Sequence, residues 1–127
     1  MKMHELAISQ AIAELVLKEA QKMGAKKVLR VEVEIGKLTF LNPEQVNFWV
    51  EASFKGTLAE GSKLEIKIIE PLVVCPACGY RGQLLPEEDS LSHWVLPLLE
   101  CPQCRSTELK VEKGRECTLR RVQLLAE

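Results

Sequence analysis

The sequence predicts an α+β fold: a small mixed three-stranded sheet with two helices, plus an inserted module with two Cys-x-x-Cys knuckles. Three observations predict it. Two stretches with apolar residues at helical spacing each precede an alternating, strand-like stretch. A third alternating stretch closes the chain. Between the second and third strands stand Cys75-Pro76-Ala77-Cys78 and Cys101-Pro102-Gln103-Cys104. Two such turns aim four sulfurs at one point, so the insert reads as a zinc-ribbon-like module. The expected division is 1–71 with 114–127 for the α/β domain and 72–113 for the metal-binding domain.

The elements follow in order. Residues 5–23 read as an amphipathic helix, with Ile8, Ala11, Ile12, Leu15, Val16 and Met23 as its apolar stripe and Gly24 after its end. Residues 28–35 alternate, with Leu29, Val31, Val33 and Ile35 on a buried face and Arg30, Glu32 and Glu34 on the other. Asn42 is the expected N-cap of the second helix, with Pro43 at N1 and Gln45 at N3. Val46, Trp49, Val50 and Ser53 form its stripe, and Gly56 follows it. A second strand sets Leu64, Ile66 and Ile68 against Lys63, Glu65 and Lys67, and Pro71 stops it. The third strand, about 115–124, shifts parity between Leu119 and Val122, the mark of a bulge or an edge position.

Composition narrows the function classes. The 127 residues, 46% hydrophobic, suit one compact domain with a small metal-stapled appendage. The 17 basic and 18 acidic residues leave a net charge of -1, which argues against a nucleic-acid partner. No apolar run reaches the length of a membrane span, and Glu5 and Glu14 interrupt any signal-peptide core. A reducing, cytoplasmic setting is the expectation, and there a four-cysteine cluster reads as a metal site rather than as disulfides. With all four positions filled, the metal is structural. Iron in a rubredoxin-like site is the rival, but Arg105 stands where such knuckles carry Gly.

Few other residues carry chemistry. His4 lies at the first turn of the first helix, where backbone N–H groups lack intrahelical partners. The helix dipole disfavours a bare cation there, so a metal site needs ligands that bring negative charge. Ni(II) and Cu(II) favour square-planar nitrogen sets of that kind. A solvated terminal histidine without a role is the other reading. His93 lies in the insert beside Trp94, as a neighbour of the thiolate site or as an exposed residue. Cys117 reads as a buried, inert thiol in a strand. Lys110, Lys113, Arg115, Arg120 and Arg121 are interleaved with Glu108, Glu112 and Glu116, as on a solvated surface. No phosphate loop, dinucleotide loop, His-Glu-x-x-His motif or serine elbow is present, so nothing points to an enzyme. Without more, a zinc-ribbon interaction adaptor and a metal carrier both remain open.

The whole chain, in order, resembles the HypA/HybF family. The resemblance rests on Met3-His4-Glu5-Leu6-Ala7, Glu34-Ile35-Gly36-Lys37-Leu38-Thr39, Pro43-Glu44-Gln45, the two knuckles and Gly114-Arg115-Glu116. It implies a nickel metallochaperone for [NiFe]-hydrogenase maturation, with urease served by some members. It makes His4 the imidazole ligand of transferred nickel, with Glu5 beside it, and Cys75, Cys78, Cys101 and Cys104 the ligands of structural zinc. The implied partners are a nickel-handling GTPase of the HypB type and the hydrogenase large-subunit precursor, for a monomer or homodimer. Family members begin at the Met of Met-His-Glu, whereas Met1 and Lys2 precede it here. Either Met3 is the start, or the terminal amine cannot join the site as it does in relatives. Some relatives also carry His beside a knuckle; none flanks one here, which argues against pH-driven ligand exchange.

Overall fold

The computed structural model describes residues 2–83 and 100–126, with side chains from His4 onward. Its elements are α1 (Lys2–Lys22), β1 (Lys27–Gly36), a 3-10 turn (Lys37–Thr39), α2 (Pro43–Phe54), β2 (Lys63–Ile69), β3 (Leu72–Val74), β4 (Arg81–Gln83), β5 (Lys110–Lys113) and β6 (Cys117–Leu125). β1 is the middle strand of a sheet ordered β2-β1-β6, parallel to β2 and antiparallel to β6. This is the mixed three-stranded sheet that the alternation predicts. The expected bulge in β6 is present: Glu32 faces Arg121 and Val33 faces Leu119, which leaves Arg120 as the extra residue on an edge strand.

α1 and α2 bury their apolar faces with β1 in one core. Ile12, Val16 and Ala20 meet Val46, Val50 and Phe54 above Val28, Val31, Val33 and Ile35. α2 starts as expected, with the Asn42 Oδ1 accepting from the N–H groups of Glu44 (2.9 Å) and Gln45 (3.2 Å). Two faces differ from the sequence reading. In α1, Leu15 is 53% exposed, and Met23 just past its end is 64% exposed, while Glu5 and Ser9 are buried. The buried line is Glu5-Ser9-Ile12-Val16-Ala20, because the Ser9 hydroxyl donates to the Val46 carbonyl and Glu5 binds the α2 cap. In β1, Leu29 turns outward and Val28 inward, since a register shift between Val28 and Arg30 flips the parity.

In α2, burial falls on Val46, Val50 and Phe54, with Trp49 and Ser53 at the flank. The outer face of the sheet is a net of partly exposed ion pairs, among them Arg30 with Glu65 at 2.6 Å and Arg120 with Glu34 at 3.8 Å. The Arg30 hydrogen bond holds the Glu65 carboxyl below its usual range. Such surface pairs add little stability, and they keep this face solvated.

The knuckle region contains a second, antiparallel sheet ordered β4-β3-β5, whose short strands the sequence reading did not anticipate. Both of its connections to the first sheet pass the end of β1. The Gly36 N–H donates to the Glu116 carbonyl (2.8 Å), and the Leu38 N–H to the Gly114 carbonyl (2.7 Å). Gly114 has φ +100 and lies against Pro71, while Gly36 lies against Gly114. Among the described residues, no helix is long and apolar enough to cross a membrane.

Candidate metal centres

The two knuckles are built alike. The Gly79 N–H donates to the Cys75 carbonyl (2.8 Å) and the Arg105 N–H to the Cys101 carbonyl (2.9 Å). The Cys75 and Cys101 amides then donate to the Tyr80 and Ser106 carbonyls. Each turn thereby folds two cysteine side chains inward. All four Sγ atoms lie within 4.8 Å of one another, with Cys75–Cys104 and Cys78–Cys101 each at 3.6 Å. A tetrahedral zinc with bonds of about 2.3 Å sets its sulfurs about 3.8 Å apart. The donor set and its spacing therefore fit a structural zinc.

The electrostatics fit as well. Burial pushes the Cys101 thiol up, but the amides of Cys104 and Gln103, aimed at its sulfur, outweigh this and bring it down to about 6. At Cys78 the Tyr80 amide pulls down, yet burial and the other three thiols prevail and push it up to about 12. Cys104 is likewise raised, against the pull of the Ser106 amide, by burial and by Cys75 and Cys101. Four crowded sulfurs cannot all ionise alone, and a dication that replaces their protons removes the conflict.

The knuckles differ at the residue that follows the second cysteine. Gly79 and Arg105 both have positive φ, +83 and +66. Left-handed backbone costs a residue with a Cβ about 1–2 kcal/mol. Glycine returns about 0.5–1 kcal/mol of that as chain entropy. Arg105→Gly is therefore expected to raise stability by about 0.5–1 kcal/mol, read as a higher melting temperature of the metal-loaded protein.

His4 is exposed on the first turn of α1. Its neighbour Glu5 is buried, 7% exposed, and its Oε2 accepts from the Asn42 N–H at 2.8 Å. Glu5 Oε1 is buried and has no hydrogen-bond partner among the described residues. The sequence singled out both residues but missed their separation: one faces solvent, and the other faces the start of α2. The available signal was the spacing Glu5-Ser9-Ile12-Val16, a run of fours and threes that shares one helix face. Cys117 is half-buried opposite Ile35, and burial raises its thiol, as an inert strand cysteine requires. His93, Trp94 and the apolar run after them lie outside the described residues.

Comparison with known proteins agrees with this arrangement. A family model described as "Hydrogenase/urease nickel incorporation, metallochaperone, hypA" matches residues 3–124. The hydrogenase maturation factor HypA of Methanothermobacter thermautotrophicus is 39% identical over 122 residues, covering 96% of this chain and 97% of that one. Its counterpart from Methanopyrus kandleri is 40% identical over 134 residues, covering 96% and 93%. The solution structure of the Ni metallochaperone HypA from Helicobacter pylori shares the fold, with a TM-score of 0.66 at 21% identity over 97% of this chain and 98% of that one. With a matched span from Met3 to Leu124 and a four-cysteine site that fits zinc, the chain belongs to the HypA family of metallochaperones for nickel incorporation into hydrogenase and urease.

Proposed function

We propose that this chain takes up Ni(II) at its N-terminal Met3-His4-Glu5 turn and delivers it for [NiFe]-hydrogenase maturation, or for urease, by ligand exchange. The observation that carries the reading is the exposed His4 on the first turn of a helix whose other face is packed into the core. His4 supplies the imidazole, nearby backbone nitrogens complete a square-planar set, and Glu5 stands beside them in the site. An exposed site can pass its ion on, whereas a site closed by four thiolates retains it. The chain does no bond-making chemistry on a substrate; the ion is its cargo.

In this reading 1–71 with 114–127 is the nickel-binding domain, and 72–113 is the zinc-binding domain. Cys75, Cys78, Cys101 and Cys104 hold zinc and shape a surface for protein partners. Those partners are a nickel-handling GTPase of the HypB type and the hydrogenase large-subunit precursor, met in the cytoplasm. Titrating Ni(II) into the zinc-loaded protein, with the d–d absorption as readout, tests the proposal. His4→Ala is expected to lower nickel affinity at least about 100-fold with zinc content unchanged. Nickel binding unaffected by that change would leave a zinc-ribbon adaptor as the better account, and loss of both metals together would end the two-site reading.

A further inference from the structure

We infer that Glu5 is a positioning residue of the nickel site, which fixes the first turn of α1 through its hydrogen bond to the Asn42 amide. The inference rests on the nickel reading above and adds how the site is held. Glutamate is almost never fully buried unless paired, yet Glu5 is 7% exposed, beside a solvent-facing His4. Its pairing is specific. At a helix start such as that of α2, the N-cap side chain serves the amides of the first turn. In a capping box the cap's own N–H is taken by the Glu or Gln at N3. Gln45 occupies N3, but the Asn42 N–H goes to Glu5 from the other helix.

The anchor is itself fixed. The Asn42 Oδ1 holds the Glu44 and Gln45 amides. The segment leading to Asn42 is tied by Thr39, whose hydroxyl donates to the Gly36 carbonyl (2.7 Å) and accepts from the Leu41 N–H (3.2 Å). One turn further along α1, the Ser9 hydroxyl repeats the contact on the Val46 carbonyl. A continuous set of bonds thus runs from the end of β1 to the residue next to His4.

This arrangement addresses the weakness of an N-terminal site. First turns fray, and His4 has no burial of its own to hold it. A square-planar set needs the imidazole and neighbouring backbone nitrogens in one plane, and ordering them on binding costs affinity. The Glu5 bond orders the turn before the ion arrives, as a supporting contact does for a preorganised site. The role requires reach as well as an acceptor oxygen. Gln keeps both, whereas Asp keeps the charge but is one methylene shorter.

The test compares Glu5→Ala, Glu5→Asp and Glu5→Gln in the zinc-loaded full chain. Circular dichroism and zinc content establish the fold, a nickel titration gives affinity and d–d band position, and NMR follows hydrogen exchange of the Asn42 amide. Ala and Asp are expected to bind nickel about tenfold or more weakly, with an unmoved band and faster Asn42 exchange. Gln is expected to remain within about threefold of the parent, with Asn42 protected. A band that moves in Gln would make Glu5 a nickel donor, acting through its Oε1, and would overturn the positioning role. Parent-like affinity in all three variants would overturn it too. If Ala does not fold, the contrast between Gln and Asp decides. Nickel binding that survives His4→Ala would instead overturn the underlying nickel reading.

Discussion

Removing zinc with a chelator under reducing conditions is expected to unfold the β4-β3-β5 sheet and both knuckles together. The reason is the size of the local core. Among the described residues of that module, Val73, Cys75 and Cys101 are the buried ones, and the strands are three or four residues long. So small a core cannot offset the conformational entropy of its chain, and a metal must supply the difference. Structural zinc contributes about 10–16 kcal/mol in comparable small modules. Cys75→Ser should have the same effect as chelation. A zinc-release assay run beside circular dichroism checks both.

Acid should act in the same direction as the chelator. In the metal-free module, unfolded as above, thiols with their ordinary value of about 8.5 are protonated at neutral pH, so zinc must displace at least two protons. The metal-free form therefore binds more protons than the loaded form, and zinc affinity falls as pH falls. Between pH 8 and 6 the expected loss is at least about 100-fold per unit.

Gly36→Ala is expected to be the most damaging substitution away from the cysteines. A Cβ at Gly36 would lie 2.2 Å from the Gly114 carbonyl carbon and oxygen and 2.8 Å from the Arg115 nitrogen. These are backbone atoms, so no side chain can swing aside. Moving the 114–116 connection away from the end of β1 would also break the bonds from Gly36 to Glu116 and from Leu38 to Gly114. Overpacking of this kind and two lost backbone bonds together cost about 3–5 kcal/mol. For a chain of this size that lowers the melting temperature by roughly 10 °C or more. Gly114→Ala should be comparable, because its Cβ would meet the Pro71 Cα at 2.7 Å in a left-handed backbone. Calorimetry of the zinc-loaded variants reads both effects.

The features legible in the sequence were those set by local chemistry. Asn42-Pro43 marks a helix start because capping involves only its neighbours, and the knuckles announce themselves because four thiolates must converge. The parity break between Leu119 and Val122 also showed, since a bulge leaves its trace in the alternation itself. What stayed hidden depends on distant partners. Ser9 and Glu5 are buried because α2 offers them a carbonyl and an amide, which helical periodicity cannot register. Leu29 turns outward through a bulge opposite Leu124 and Gln123, nearly a hundred residues away in the chain. The contact between Gly36 and Gly114 is equally remote, and an isolated glycine does not name the backbone it makes room for.

The order β2-β1-β6 places the last strand beside the first. The sheet therefore cannot be finished until the chain has left for the knuckles and come back. Until then β1 keeps one edge unpaired, in a segment rich in β-branched residues, which is the kind of edge that recruits other chains. A zinc clip between Cys75/Cys78 and Cys101/Cys104 shortens the excursion and brings residues 70 and 116 toward the same point. The metal in one lobe thus acts on the rate at which the other lobe closes, and a newly made chain that acquires zinc late spends longer in its most association-prone form.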